Sequence, residues 1–278
     1  MIVIGSRGSQ LALWQARHVA SLLNCETRIE IIKTTGDKIQ DVPLSQVGGK
    51  GLFTKEIEEA LLDHRIDLAV HSLKDMPSEL PAGLTLAAIP EREDPRDALV
   101  GLALAPGLRV GTSSLRRSVQ LANLNLALKI ESLRGNVDTR LRKLQEGQFD
   151  TIVLAAAGLR RLGWADRISS TLPIDVMIPA VGQGALAIET RDDGGEAYRI
   201  AQTLEHQDSR RAITAERAFL AVFGGGCQVP IGAHATIDGS EIHLRAFVSD
   251  PDGSNTKRGE ERGTDPIGVG EELARRLL

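Results

Sequence analysis

The sequence predicts an α/β protein with two doubly wound lobes, followed by a smaller α+β domain. Short apolar segments alternate with helical patterns along most of the chain, which is typical of β-α-β units. The C-terminal part instead alternates apolar and polar residues between Asp-Gly turns, which is typical of a three-stranded antiparallel sheet. Hydrophobic residues make up 42% of the chain and aromatic residues only 3%, so the predicted cores are aliphatic.

The first lobe is predicted from strands and helices that alternate from the first residues onward. Residues 2–5 form a predicted strand, and Ser9 is a suitable N-cap for a helix over residues 9–24. The turn between them carries Arg7 among glycines and serines, a composition that favours anions. Residues 34–47 have no clean period and are predicted to form a mobile loop. The remaining elements are predicted strands over residues 28–33, 66–70 and 84–89, and a helix over about residues 48–63.

The second lobe is predicted to carry a basic surface along one edge of its sheet. Strands are predicted over residues 108–110, 129–132 and 149–155, and each is followed by hydroxyl groups, arginines or both. Residues 109–167 contain eleven Lys and Arg against five Asp and Glu, and nine of the eleven are Arg. Because Arg binds carboxylates and phosphates bidentately, we expect a cleft for a ligand with several such groups. For any single Arg, a salt bridge on a helix face remains the better explanation.

The rest of the chain predicts the domain boundaries. Residues 90–97 are charged and contain two prolines, which indicates a crossover. The glycines of residues 179–187 precede a predicted strand over 185–190, so they mark the return crossover and not a dinucleotide fingerprint. Helices are predicted around residues 195–206 and 209–223, strands over 231–237, 241–248 and about 256–262, and a last helix from about residue 266. The predicted domains are residues 1–90 with 184–203, residues 97–178 and residues 207–278, with hinges at 91–96 and 179–183.

Several classes of function find little support in the sequence. The six histidines are scattered without a zinc motif, and no nucleophile-elbow pattern occurs. Residues 48–51 resemble a phosphate loop but lack its spacing. A net charge of −4 and few aromatic residues disfavour nucleic-acid binding. Two distant cysteines, no secretory leader and no apolar run of about 18 residues predict a cytoplasmic protein outside the membrane.

Two short segments carry groups that could perform chemistry. Three glycines and a proline frame Cys227, which predicts an accessible thiol, although a tight surface turn is also consistent with this pattern. Ser72, Lys74 and Asp75 place a hydroxyl, a cation and a carboxylate directly after a predicted strand. A solvated turn ended by Pro77 is the alternative explanation for this second segment.

Taken together, these segments resemble the porphobilinogen deaminase (hydroxymethylbilane synthase) family over essentially the whole chain. The matching motifs are Arg7, GGKGLF over residues 48–53, HSLKDMP over 71–77, residues 91–97, GTSSLRR over 111–117, RGN over 134–136, PAVGQGA over 179–185 and GGCQVPIG over 225–232. The resemblance implies two lobes like those of periplasmic binding proteins and a third domain that carries the cysteine. It also implies a transferase of tetrapyrrole and haem biosynthesis that joins four porphobilinogen molecules head to tail, with loss of ammonia, to give hydroxymethylbilane.

The resemblance further implies roles for individual residues. Asp75 and Lys74 would be catalytic, and Cys227 would hold a dipyrromethane cofactor through a thioether. Cofactor contacts are implied for Ser72, Lys74, Asp75, Thr112, Ser114, Arg116, Arg117 and Arg134. Substrate contacts are implied for Arg7, Ser9, Gln15, Lys50, Arg134, Arg140, Arg161 and Gln183. The expected protein is a monomer with porphobilinogen as substrate, without a metal, a nucleic acid or a membrane as partner.

The sequence departs from the family pattern in two places. Phe223 stands where an acidic residue is frequent, and family members usually continue beyond the last predicted helix. A second hypothesis is a non-catalytic, two-lobed protein that binds a small anion. It accounts for the lobes and the arginines, but not for Asp75 beside Lys74 or for the glycines around Cys227.

Overall fold

A computed structural model describes residues 1–38, 51–224 and 229–278 of the chain. The chain forms two compact units. The first consists of Met1–Glu93 and Ala185–Arg210, and the second of Asp94–Gly184 and Arg211–Leu278. The division into three domains at the boundaries given above remains a prediction.

The described residues form the following elements, numbered along the chain. The strands are β1 (Ile2–Ser6), β2 (Thr27–Ile31), β3 (Leu68–Ser72), β4 (Leu84–Ala88), β5 (Asp97–Gly101), β6 (Arg109–Gly111), β7 (Lys129–Glu131), β8 (Thr151–Ala155), β9 (Ser170–Thr171), β10 (Leu186–Arg191), β11 (Ile231–Asp238), β12 (Glu241–Val248) and β13 (Lys257–Gly263). The α-helices are α1 (Gln10–Leu22), α2 (Thr35–Lys38), α3 (Lys55–Leu62), α4 (Leu115–Ala122), α5 (Val137–Gln145), α6 (Ala156–Arg161), α7 (Glu196–Gln202), α8 (Gln207–Val222) and α9 (Pro266–Leu277). Short 3-10 helices cover Leu73–Asp75 and Ala165–Arg167.

The first unit is built on a mixed sheet with the strand order β2-β1-β3-β10-β4. Strands β1, β2 and β3 are parallel, whereas β10 runs antiparallel to both of its neighbours. Successive side chains of a strand point to opposite faces. Ile4 and Val70 therefore pack with Val19 of α1 on one face, and Ala69 packs with Ile57 of α3 on the other. Helices thus cover both faces, as a doubly wound fold requires.

The second unit contains a sheet with the order β7-β6-β8-β5-β9. Strands β6, β7 and β8 are parallel, so their carboxyl ends lie at one edge, as expected from the sequence. Strand β5 runs antiparallel to β8 and pairs Asp97 with Ala155, the last residue of β8. Ile152 of β8 packs with Leu141 of α5, and Val153 packs with Leu121 of α4 on the opposite face.

The C-terminal part of the second unit is an antiparallel sheet covered by helices. Strands β11, β12 and β13 pair in that order, and Gly239 has a φ of 55° in the turn between the first two. Glycine adopts a left-handed φ without steric cost, which accounts for the predicted Asp-Gly turn at this position. Leu244 packs with Phe219 of α8 and Leu273 of α9. The predicted α/β class and the small antiparallel sheet are both confirmed.

Four local predictions need correction. Strand β3 extends through Ser72, because its pairing with β10 continues to that residue. Asp97 was predicted to lie in the crossover over residues 90–97, but it begins strand β5, for which there was no prediction. Helix α3 begins at Lys55, and α2 occupies the start of the predicted loop at 34–47. The rest of that loop lies outside the described residues. Among the described helices, none is long and apolar enough to cross a membrane.

Candidate active site

The first group of candidate residues lies where β3 ends in the first unit. Ser72 is half-buried, whereas Lys74 and Asp75 are exposed on the 3-10 turn that follows. Leu73 is 1% exposed, and its amide donates to the Ala185 carbonyl at 3.0 Å. The buried leucine anchors the turn and leaves its two charged neighbours in solvent. No described residue donates a hydrogen bond to the Asp75 carboxylate.

Helix α1 places Gln15 against Ser72. The helix begins after Ser9, whose hydroxyl accepts a hydrogen bond from the Ala12 amide at 3.3 Å and confirms the predicted cap. Gln15 is only 2% exposed. Its Nε2 donates to Ser72 Oγ at 3.0 Å, and the same hydroxyl lies 3.3 Å from Gln15 Oε1. This contact joins two predicted site residues and fixes the position of the Ser72 hydroxyl.

Arg7 lies directly after β1 and has a partner within its own unit. Its Nε donates to Asp37 Oδ1 at 3.1 Å, and its Nη2 donates to the same carboxylate. The guanidinium carbon also lies 4.1 Å from the ring centroid of Phe53, a cation–π contact. Burial raises the pKa of Asp37, but hydrogen bonds from Arg7 and Thr34 outweigh this effect and hold the pKa below its ordinary value. The predicted anion-binding arginine therefore already has a counter-ion.

Three buried titratable side chains lie behind the β3 turn. His71 Nε2 is 3.0 Å from Glu189 Oε2, with side-chain exposures of 4% and 0%. Glu58 of α3 is 6% exposed. Burial raises the pKa of Glu58, and the negative charge of Glu189 adds to this shift. His71 belongs to the motif over residues 71–77, and Glu58 and Glu189 lie in a predicted helix and a predicted strand, but none of the three was predicted to have a chemical role.

In the second unit, the predicted hydroxyl groups organise the start of α4. Ser114 Oγ accepts a hydrogen bond from the Arg117 amide at 3.4 Å and so caps α4. The Ser114 amide in turn donates to Thr112 Oγ1 at 3.2 Å. Thr112 is 4% exposed, and Ser114 is half-buried. These contacts fix the first turn of α4, from which Arg116 and Arg117 project.

Arg116 and Arg117 converge on the buried carboxylate of Asp97. Arg116 Nη1 lies 2.7 Å from Asp97 Oδ2, and Arg117 Nη2 lies 2.7 Å from Asp97 Oδ1. Gln183, which is 1% exposed, donates its Nε2 to Asp97 Oδ1 at 3.0 Å. Burial raises the pKa of Asp97, but the positive charges of the two arginines outweigh it and hold the pKa far below its ordinary value.

The other predicted arginines of this unit have more local surroundings. Arg161 is 8% exposed, and its Nη2 donates to the Gly184 carbonyl at 2.6 Å. Arg140 lies on α5, and its Nε donates to the Gly135 carbonyl at 2.8 Å. Arg134 is half-buried in the loop after β7. All three follow the carboxyl ends of parallel strands, as predicted.

The structure thus brings together several predicted residues within each unit. Ser72 contacts Gln15 in the first unit, and Gln183 shares Asp97 with two arginines in the second. Lys50 and Cys227 lie outside the described residues, so the predictions about them remain predictions. Over residues 1–38, 51–224 and 229–278, no cluster of potential metal ligands occurs.

Comparison with known proteins identifies two matching family models. The model described as porphobilinogen deaminase, dipyromethane cofactor binding domain, matches residues 2–199. The model described as porphobilinogen deaminase, C-terminal domain, matches residues 211–278.

Individual relatives extend over nearly the whole chain. The porphobilinogen deaminase of Syntrophomonas wolfei is 51% identical, over 99% of this chain and 94% of the relative. The porphobilinogen deaminase of Roseiflexus sp. is 54% identical, over 100% of this chain and 95% of the relative. Among solved structures, the second substrate binding domain of a putative amino acid ABC transporter from Streptococcus pneumoniae has a TM-score of 0.43 and 13% identity, covering 81% of this chain and 96% of that domain.

Proposed function

The chain belongs to the porphobilinogen deaminase family, and on that premise we propose that it joins four porphobilinogen molecules head to tail, with loss of ammonia, to give hydroxymethylbilane. The observation that carries this proposal is the match of both family models, which together span residues 2–199 and 211–278. The protein is therefore a transferase of tetrapyrrole biosynthesis. A non-catalytic anion-binding protein, the second hypothesis, is not favoured.

The arginines of the second unit have the chemistry that this substrate needs. Porphobilinogen carries an acetate and a propionate, so each added pyrrole brings two carboxylates to the protein. A hydrogen bond to a charged group contributes about 1.5–3 kcal/mol, so a growing chain is best held by several arginines. Arg134, Arg140 and Arg161 follow parallel strands at the edge where the paired Arg116 and Arg117 also lie. We assign these side chains to carboxylate binding.

Asp75 has the position and exposure required of a catalytic carboxylate. As ammonia leaves porphobilinogen, positive charge develops on the pyrrole and its methylene carbon. A carboxylate placed beside that charge lowers the barrier. Asp75 is exposed at a strand exit, and no described residue pairs with it, so its negative charge is available to substrate. Lys74 would bind a carboxylate, and Ser72, held by Gln15, would donate or accept a hydrogen bond.

The described residues also fit a dipyrromethane cofactor. This group bears carboxylates on both pyrroles, and the donor set around α4 consists of hydroxyls and arginines with a surplus of positive charge. Thr112, Ser114, Arg116 and Arg117 would hold it, with Cys227 as its covalent attachment through a thioether. When bound, the cofactor supplies the pyrrole to which the first substrate is joined.

The same proposal includes a cellular compartment, an oligomeric state and a partner, none of which follows from the family match alone. We place the protein in the cytoplasm as a monomer, with porphobilinogen as its only partner. Size-exclusion chromatography with light scattering at micromolar concentration tests the monomer directly. A stable dimer that persists on dilution would contradict it.

The proposed function is tested by the intact mass of the purified protein, before and after brief exposure to porphobilinogen. We expect an excess of two linked pyrroles, followed by a ladder of single pyrrole additions. Cys227→Ser should lack both, whereas Cys25→Ser, which changes the only other cysteine, should keep both. Asp75→Asn should retain the cofactor but lose most turnover, with Asp63→Asn, at an exposed carboxylate of the same unit, as its control. An unmodified mass that never changes would rule out the proposal.

A further inference from the structure

We propose that Asp97 is a positioning residue that holds Arg116, Arg117 and Gln183 as one unit with a single surplus positive charge, and that this unit binds one carboxylate of the substrate or cofactor. The inference rests on the proposed function and assigns a role to a residue that has none in the mechanism above. Three properties of the cluster support it: its hydrogen-bond geometry, its charge and its place in the sheet.

The geometry fixes both guanidinium groups before any ligand binds. Arg116 donates to Asp97 at 2.7 and 3.2 Å and to the Ile178 carbonyl at 2.7 Å. Arg117 donates to Asp97 at 2.9 and 2.7 Å and to the Val153 carbonyl at 3.0 Å. Each planar guanidinium thus has acceptors on two sides, which removes its rotational freedom. A pre-ordered group loses less entropy when it binds a ligand.

The charge of the cluster is unbalanced by one. Two guanidinium groups face one carboxylate, and all three side chains are at most 6% exposed. Within the part of the chain that the structure describes, neither arginine forms an ion pair with a second carboxylate. Burial lowers the pKa of Arg117, and the charge of Arg116 adds to this, while Asp97 opposes both. The Asp97 carboxylate therefore allows both guanidinium groups to remain charged side by side. It neutralises one of the two positive charges, and the other is available to bind an anion.

The sheet places this charge among the candidate binding residues. Asp97 is the first residue of β5, and because β5 is antiparallel to β8, it lies beside the last residue of β8. Arg116 and Arg117 lie on the first turn of α4, which follows β6. Strand β8 lies between β6 and β5 in the sheet. The antiparallel strand thus brings its amino end to the edge where the parallel strands have their carboxyl ends.

The first test compares Asp97→Asn with Asp150→Asn in the full-length, cofactor-loaded enzyme. Asp150 pairs with Arg109 in the same sheet, but this pair is partly exposed and lies at the opposite ends of the parallel strands. In Asp97→Asn the two arginines lose the negative charge that holds them, so their guanidinium groups move from the positions that bind the carboxylate. We therefore expect kcat to fall by about 10- to 100-fold, with a smaller change in KM. The salt dependence of kcat/KM should become about twofold steeper, because the surplus charge rises from one to two.

A purely structural role for Asp97 would lower stability without changing the salt dependence. A folded Asp97→Asn enzyme with the salt dependence and kcat of wild type would therefore overturn the inference. If wild type and Asp150→Asn do not consume porphobilinogen, the proposed function itself fails, and this outcome is distinct from a failure at Asp97 alone.

A second measurement needs no Asp97 variant and covers the case in which Asp97→Asn does not fold. Nitrogen-15 spectra of the wild-type arginine side chains report hydrogen exchange at each Nε. The Arg117 Nε–H, which is buried and bonded to Asp97 at 2.9 Å, should exchange at least about tenfold more slowly than that of Arg109, whose side chain is 41% exposed. Equal exchange rates would show that the pair is not held before binding, and the inference would be wrong.

Discussion

Replacing Glu189 by alanine should destabilise the first unit by about 1–5 kcal/mol at pH 7. Its Oε2 lies 3.0 Å from His71 Nε2, and the two side chains are 0% and 4% exposed. Loss of one partner from a buried ion pair costs about 3–5 kcal/mol, and loss of a neutral buried hydrogen bond costs about 1–3 kcal/mol. Glu189→Gln keeps an acceptor for His71, so its effect should be smaller than that of alanine.

The second unit offers a matched control in the pair formed by His243 and Glu260. Its Nε2–Oε2 distance is 2.8 Å, shorter than that of the buried pair, but the Glu260 side chain is 62% exposed. Solvent screens this pair, so Glu260→Ala should change stability far less than Glu189→Ala. The shorter contact is thus expected to have the smaller effect, because burial, and not distance, sets the energy.

The two tryptophans allow each unit to be followed separately during urea unfolding. Trp14 lies in the first unit and Trp164 in the second. Glu189→Ala is measured in a Trp164→Phe background, and Glu260→Ala in a Trp14→Phe background. Equal changes in the free energy of unfolding would refute the argument from burial. So would a Glu189→Ala effect too small to measure.

Three further predictions concern pH and packing. The raised pKa of Glu58 means that the folded state holds its proton more tightly, so wild-type stability should fall as pH rises above 4.5, and Glu58→Gln should lack this fall in urea titrations. The lowered pKa of Asp37 has the opposite sign: the advantage of wild type over Asp37→Asn at pH 7 should vanish as pH falls through a folded pKa below 3.8. Gly270→Ala should destabilise the second unit by about 1–3 kcal/mol in thermal unfolding, because its Cβ would clash with the Ala215 carbonyl oxygen of α8. Gly268→Ala, on the same helix, would meet only the side chain of the capping residue Asp265 and should cost less.

Each of these predictions has a clear contrary result. Parallel curves of stability against pH for wild type and Glu58→Gln would show that this carboxyl group does not hold the extra proton. A difference between wild type and Asp37→Asn that does not decrease as the pH falls below 3.8 would contradict the predicted role of the ionised form. If Gly270→Ala were as stable as Gly268→Ala, helices α8 and α9 could move apart without a cost in free energy, and the packing argument would be wrong.

Local sequence pattern predicted most of the fold because most elements are defined by their own residues. Ser9 and Ser114 have the hydroxyl groups that cap helices, and both accept the expected amide. The C-terminal strands alternate with period two and are joined by segments that contain Asp-Gly turns, so their bounds were predicted closely. Prediction from local sequence failed where strand pairing, and not residue composition, decides where a strand begins or ends. His71 and Ser72 are polar, but they continue β3 because β10 pairs with them.

The centre of the second unit could not be predicted for a related reason. Asp97 follows a charged segment with two prolines, which is typical of a loop. Its partners Arg116 and Gln183 lie 19 and 86 positions away in the chain. No local period encodes contacts of that length. The apolar run over residues 98–100, directly after Asp97, was a signal for this strand in the sequence itself, because these residues form the middle of β5.

The insertion of β10 between β3 and β4 has a consequence for the order in which the protein can fold during synthesis. β3 and β4 are separated in the chain by 11 residues but do not pair with each other; each pairs with β10, which is translated about 100 residues later. Until Leu186 and the residues after it leave the ribosome, the edges of β3 and β4 that β10 pairs in the folded sheet stay open, and the apolar face is incomplete. Open strand edges are sites of aggregation. The nascent first unit therefore has to wait for the end of the following segment, and chaperones that bind extended apolar chain have their longest opportunity in this interval.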